Sequence, residues 1–223
     1  MASARDEIFA SLRRSMGVTG QEATRKMEVQ TRLMQKPRGI VPQRGYVAGE
    51  ERIELFTRQA QNVQADVKRA AHLSDVAPIV RAYLRERNLP ALLRRGQAPL
   101  LHAIDWDAQQ LTLLDGPSDG HDANGLSVAL GGCAETGSLV LVSGPDNPTT
   151  LNFLPDNHIV LIEANKIEPS FEDIWQKLRM IFGPDTLPRT VNFITGPSRS
   201  ADIEQTMLLG AHGPRNLLIV IIG

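Results

Sequence analysis

Cysteine is almost missing from this sequence: Cys133 is the only one in 223 residues. A single thiol cannot close an internal disulfide, complete a Cys-based zinc site or hold an iron–sulfur cluster, so any such centre belongs on another chain. Aromatic residues are scarce, at 4%, which argues against a stacking surface for single-stranded nucleic acid. No apolar run approaches the ~20 residues needed to span a bilayer, so no membrane span is expected. The N-terminal MASARDEIFASLRRSM has no apolar signal core, and Asp6 and Glu7 count against a transit peptide. A cytoplasmic location is the expectation. His72, His102, His121, His158 and His212 show no H-E-x-x-H or similar spacing, so no metal site is predicted. Walker and G-x-G-x-x-G patterns are also missing, which disfavours a standard nucleotide cradle. No G-x-S-x-G elbow accompanies the serines, and a nucleophilic triad is not indicated.

What remains is an ordinary globular composition, 42% hydrophobic and 22% charged. The net charge of −1 hides an asymmetry. Residues 1–100 hold 18 Lys/Arg against 10 Asp/Glu (+8), and residues 101–223 hold 6 against 15 (−9). Such a division suits either internal complementarity and solvated faces or docking of a basic arm on an acidic partner.

Apolar spacing predicts helices over residues 4–16, from after Gly20 to about Gln35, over about 49–71, and over 76–86 with Asp75 as cap. KPRGIVPQRGY reads as a linker, and the predicted division is a helical arm with linker, 1–48, followed by an α/β domain, 49–223. From about Leu89 short β-rich runs alternate with turns: PLLHAI, LTLLD, LSVALGG, SLVLVSG, HIVLIEA, VNFIT and LLIVII. Several are continuously apolar, as in strands covered on both faces. SFEDIWQKLRMIF reads as a helix capped by Ser170. From VNFIT to LLIVII the pattern predicts strand, loop, short helix, loop, strand, a βαβ unit with parallel strands.

Two clusters carry candidate chemistry. TGPSRSADIE places Thr195, Gly196, Ser198, Arg199 and Ser200 at the predicted carboxyl end of a parallel strand, where ligands collect in open α/β sheets. Asp202 and Glu204 fall in the expected first helical turn, complementing the helix dipole but repelling a multiply charged phosphate. The stretch is either an anion or carboxylate site or a self-satisfied capping loop. The loop that follows brings His212 between small residues, either for acid–base work or as a solvated side chain. Glu135, Thr136, Gly137 and Ser138 form the second cluster, either a polar-ligand or general-base site or a tight turn in which Gly137 supplies φ > 0. A part-buried Glu135 needs a partner, and Arg199 is the candidate. Cys133 reads as a small buried residue, and His158 as a turn-associated residue at a strand entry.

The combination AETGSLVLVSGPDNPTTLNFLPDNHIVLI, followed by ITGPSRSADIEQTMLLGAHGP, closely resembles the LUD domain family. The motif-dense part spans about 125–223. Ser200 and Ser138 stand where that family often has Thr, and both keep the hydroxyl. The resemblance implies a three-layer fold like that of the NagB/RpiA/CoA-transferase group, with a mostly parallel central sheet. It also implies a part in oxidising L-lactate to pyruvate, as a non-redox subunit beside partner proteins that carry iron–sulfur clusters. Glu135 and His212 are then the candidate catalytic groups. Thr136, Gly137, Ser138, Thr195, Gly196, Ser198, Arg199, Ser200, Asp202 and Glu204 are the candidate ligand-binding residues, a small carboxylate being the expected ligand. The other reading is a self-standing enzyme or binding module for a CoA-like or phosphorylated ligand on the same fold.

Overall fold

The computed structural model describes residues 3–201, 207–210 and 212–223. By its contacts the chain divides into two units, Met1–Ile40 and Val41–Gly223. The first consists of α1 (Ala4–Met16) and α2 (Ala23–Gln35). Ser3 and Asp6 form a capping box at the start of α1, and Gly17 ends it at φ 63°. Neither helix buries a residue; Ile8, Leu12, Met16, Leu33 and Met34 are exposed. Among the described residues no helix is long and apolar enough to cross a membrane.

The second unit is α/β. In chain order it comprises α3 (Gly49–Asn62), β1 (Asp66–Ala70), α4 (Val76–Glu86), β2 (Leu92–Arg95), α5 (Pro99–His102), β3 (Thr112–Asp115), β4 (Asn124–Val128), β5 (Gly131–Cys133) and β6 (Ser138–Val142). There follow β7 (Asn157–Glu163), β8 (Ile167–Glu168), α6 (Phe171–Phe182), β9 (Val191–Ile194), β10 (Arg199–Ala201), β11 (Met207–Leu209) and β12 (Asn216–Ile222). Six strands form an all-parallel sheet in the order β1-β12-β7-β4-β2-β3. A second, mixed sheet runs β8-β5-β6-β9, and β10 pairs with β11 as an antiparallel hairpin.

Side-chain alternation turns these sheets into layers. Along β12, Leu218 and Val220 join the cluster under α4, which holds Val76, Val80 and Leu84. Leu217, Ile219 and Ile221 face the other way, onto Leu55 and Phe56 of α3 and onto Leu139 and Leu141 of β6. A strand covered on both faces must be apolar at every position, which is why NLLIVII reads as a continuous run. Val140, between Leu139 and Leu141, faces outward to Ile174 and Leu178 of α6. The layers are therefore α4 with α5, the parallel sheet, α3 with the mixed sheet, and α6.

Several expectations need correction. The helix expected to reach about Ala71 stops at Asn62, and Gln64 at φ 68° turns the chain into β1. PLLHAI contains the short helix α5, not a strand. LSVALGG is not one strand: β4 ends at Val128 in the parallel sheet, and β5 begins at Gly131 in the mixed sheet. Asp75 does not cap α4 with its side chain; it accepts from the His72 amide at 2.8 Å. The βαβ reading of VNFIT to LLIVII fails as well. β9 pairs antiparallel with β6, in a different sheet from β12, and the described part of the connection is the β10–β11 hairpin.

Candidate functional site

The antiparallel pairing of β6 with β9 sets Leu139 opposite Ile194. It thereby juxtaposes the residues just before β6 with those just after β9, so the two clusters singled out in the sequence meet. Thr136 Oγ1 lies 2.8 Å from Ser138 Oγ, and Ser138 Oγ lies 2.5 Å from Thr195 Oγ1. Ser138 is fully buried and Thr195 is exposed, so three hydroxyls in series lead from the interior to the surface.

Two glycines allow this approach, and both rest on the C-terminal turn of α3. Gly137 has φ 68°, and a Cβ there would lie 2.3 Å from the Ala60 amide nitrogen. Gly196 has φ 82°, and a Cβ there would lie 2.5 Å from the Val63 carbonyl oxygen. In both cases the obstacle is backbone, which cannot swing aside as a side chain does. The requirement is thus conformational and steric together.

The HGP segment is tied to the same loop. The Ser198 amide donates to the Pro214 carbonyl at 2.8 Å, and the Gly210 amide donates to the Ser198 carbonyl at 3.0 Å. Gly213 packs on Ser198, since a Cβ at Gly213 would meet Ser198 Cβ at 3.3 Å. Arg199 and His212 are exposed on this loop pair. Ser200 takes part in the hairpin opposite Leu208. Asp202 and Glu204 lie outside the described residues. Because β9 belongs to the mixed sheet and Pro214 leads into the start of β12, these loops sit at the amino end of β12. They are not at the carboxyl edge of the parallel sheet, where the sequence pattern had placed them.

Glu135 turns away from this loop pair. It is buried, and its Oε1 accepts from the Phe171 amide at the start of α6 at 3.1 Å, with Cys133 Sγ at 3.8 Å. A carboxylate at the first amide of a helix is favoured by the unpaired N–H groups and by the dipole. Oε2 has no hydrogen-bond partner among the described residues, and the Gly45 backbone passes over it, so that a Cβ there would lie 3.7 Å away. The anticipated ion pair with Arg199 is not found among the described residues.

Cys133 stands beside both groups: its Sγ contacts Glu135 Oε1, and its carbonyl accepts from the Thr136 and Gly137 amides at 3.4 and 2.9 Å. Burial pushes the Cys133 thiol up to about 11, and the Glu135 charge adds to the effect. Ellman's reagent at pH 8 is therefore expected to leave the native thiol unmodified and to titrate one thiol per chain in denaturant. Rapid labelling of the native protein would contradict this placement.

His158 stands at the entry of a strand, as expected. It is buried in β7 with Nε2 3.0 Å from Ser127 Oγ, and desolvation pulls it down to about 3. Sequence reasoning missed the amino-end network, in which Asn216 Nδ2 donates to Asn157 Oδ1 at 2.8 Å and Arg87 donates to Asn216 Oδ1 at 3.1 Å. Each asparagine opens an apolar run, which is the signal that was available.

Chemically, a hydroxyl both donates and accepts, so three in series can reverse together and present Thr195 in either role. With Ser198, Arg199 and His212 on the adjoining loops, the arrangement suits a small ligand bearing carboxylate and hydroxyl or carbonyl oxygens.

The LUD domain family model matches residues 53–222. The chain is 39% identical over 98 residues to an uncharacterised protein of Neisseria meningitidis serogroup B, covering 44% of this chain and 41% of that one. It is 37% identical over 89 residues to lactate utilization protein C of Anoxybacillus flavithermus, covering 40% and 39%. To the protein of the same name from a Geobacillus species it is 37% identical over 90 residues, covering 40% and 37%. The match thus spans about two fifths of the length of these curated relatives. A crystal structure of a duf162 family protein from Deinococcus radiodurans superposes with a TM-score of 0.56 at 17% identity, covering 79% of this chain and 99% of that one. That likeness establishes the fold.

Proposed function

Because the chain belongs to the LUD domain family, we propose that it is a component of a cytoplasmic lactate-utilisation system, acting as a non-redox subunit that holds a small 2-hydroxy or 2-oxo carboxylate. The name shared by several relatives supports the pathway. The observation that carries the site is the Thr136–Ser138–Thr195 hydroxyl series, which joins the two signature segments and ends at exposed Thr195, in the segment that leads on to Ser198 and Arg199. Arg199 supplies the bidentate clamp for the carboxylate, and Thr195 meets the 2-oxygen. His212 is the acid–base candidate on the adjoining loop. Glu135, held by the α6 amide, is a buried acid behind the series. With one buried thiol the chain has no ligand set for an iron–sulfur cluster, so electrons pass to partner proteins that carry such clusters.

Isothermal titration with L-lactate and pyruvate tests the site. Saturable binding is expected, weakened about tenfold by Arg199→Ala through loss of the charge-assisted bonds. Selective stabilisation by coenzyme A or a sugar phosphate, with no response to either carboxylate, would replace this reading with the phosphorylated-ligand one. Partner association is tested by affinity recovery from native extract with iron analysis. Recovery of the chain alone, free of iron, counts against the partner proteins.

A further inference from the structure

The chain leaves β2 and β4 in opposite directions, although the two strands are neighbours. After β2 it passes to α5, whose Leu101 packs in the α4 cluster. After β4 it passes to β5 and β6, and after β7 to β8, all on the α3 side of the parallel sheet. Adjacent parallel strands whose connections part to opposite faces leave a crevice at their carboxyl ends. A cleft of about 550 Å³ lies there, lined by Leu100, Val128, Leu130 and Val142, with Asp146, Glu163 and Lys166 at its polar side. No member of the hydroxyl series lines it.

Its walls are fixed in advance. Gly96 has no room for a side chain, because a Cβ would lie 2.1 Å from the Asp146 carbonyl oxygen. The Gln97 amide donates to the Pro145 carbonyl at 3.1 Å, which clamps the 144–148 turn to the end of β2. Asn147, also in the lining, is buried and donates from Nδ2 to the Val142 carbonyl at 3.4 Å. The volume falls in the range of small-molecule sites, which combine apolar walls with a few polar groups. Lys166 and Glu163 pair with each other. Asp146 is exposed, and its carboxylate has no partner among the described residues. The cleft therefore carries one uncompensated negative charge.

We infer that this crevice is a second ligand site, for a small organic molecule with an apolar body and a cationic N–H group that pairs with Asp146. The inference stands apart from the carboxylate site proposed above.

Tryptamine and indole-3-propionate are probes of similar shape and opposite charge. Titration of the full chain, followed by amide chemical shifts, is expected to show saturable tryptamine binding, with shifts at Leu100, Val128, Leu130 and Val142. Indole-3-propionate and the Asp146→Asn variant are each expected to weaken binding about tenfold. Ala103 lines the cleft and is exposed, so Ala103→Trp fills it with little strain and is expected to abolish binding. Shift mapping on the unaltered chain locates the site even if that variant folds poorly. No saturable binding, binding that survives Ala103→Trp, shifts confined elsewhere, or equal affinity for the propionate each overturn the inference.

Discussion

Gly137→Ala is expected to destabilise the α/β unit by about 3–5 kcal/mol, the sum of a left-handed backbone penalty and a clash with backbone atoms. The φ of 68° alone disfavours any side chain. The added carbon would lie 2.3 Å from the Ala60 nitrogen, 2.7 Å from the Gln59 carbonyl carbon and 2.8 Å from the Ala60 Cα, so either the turn or α3 has to shift. Gly144→Ala is the control, because nothing lies within 4 Å of its added carbon and its φ is not positive. Urea unfolding should show a large loss for Gly137→Ala and a change of about 0.5 kcal/mol or less for Gly144→Ala. Equal midpoints for the two variants would refute the close approach to α3. The same displacement would separate Ser138 from Thr195, so carboxylate binding should fall with stability.

Acid is the second strong lever. His158 titrates near 6.5 when unfolded but is pulled down to about 3 in the folded protein by desolvation. Between those values the unfolded chain binds the extra proton and the folded chain does not. Stability from this group is therefore complete above about pH 6.5 and is lost as pH falls toward 3, roughly 3 kcal/mol of it between pH 7 and pH 4. Glu50, Asp115 and Asp119 are also held below the usual carboxylate range, but they are exposed and act lower on the pH scale. His158→Gln keeps a polar group for Ser127 and removes the titration. Its stability should be nearly flat from pH 7 to pH 5, where the parent already declines. A parent curve that is flat across that interval would mean His158 is not desolvated.

Helices and core strands were legible wherever periodicity or continuous apolarity had one physical meaning. The α4 pattern and the Ser170 start of α6 come straight from spacing and capping chemistry. HIVLIE and LLIVII follow from burial on two faces. Which sheet a strand joins was not legible. VNFI looks like a central parallel strand, yet it is the half-buried edge of the mixed sheet. LSVALGG crosses between sheets at Ala129 and Leu130 with no change in polarity, because Ala129 is buried and Leu130 is half-buried against the α6 cluster. The candidate site was legible as two glycine-bearing clusters. Their meeting depended on β6–β9 pairing, and the destination of Glu135 depended on where α6 begins. Neither has a local signature.

The position of β12 bears on the order in which the chain acquires its structure. β1 has a single strand neighbour, and its Asp66 is matched to Leu218. During synthesis, residues 66–70 leave the ribosome with their hydrogen-bonding edge unmet and wait until nearly the whole domain has been made. β7 likewise keeps one side open until β12 slots between it and β1. Long-range parallel pairing of this kind closes slowly and leaves strand edges exposed meanwhile. Nascent chains stalled before residue 216 should therefore lack protease resistance in α3 and β1, and gain it in one step once β12 emerges.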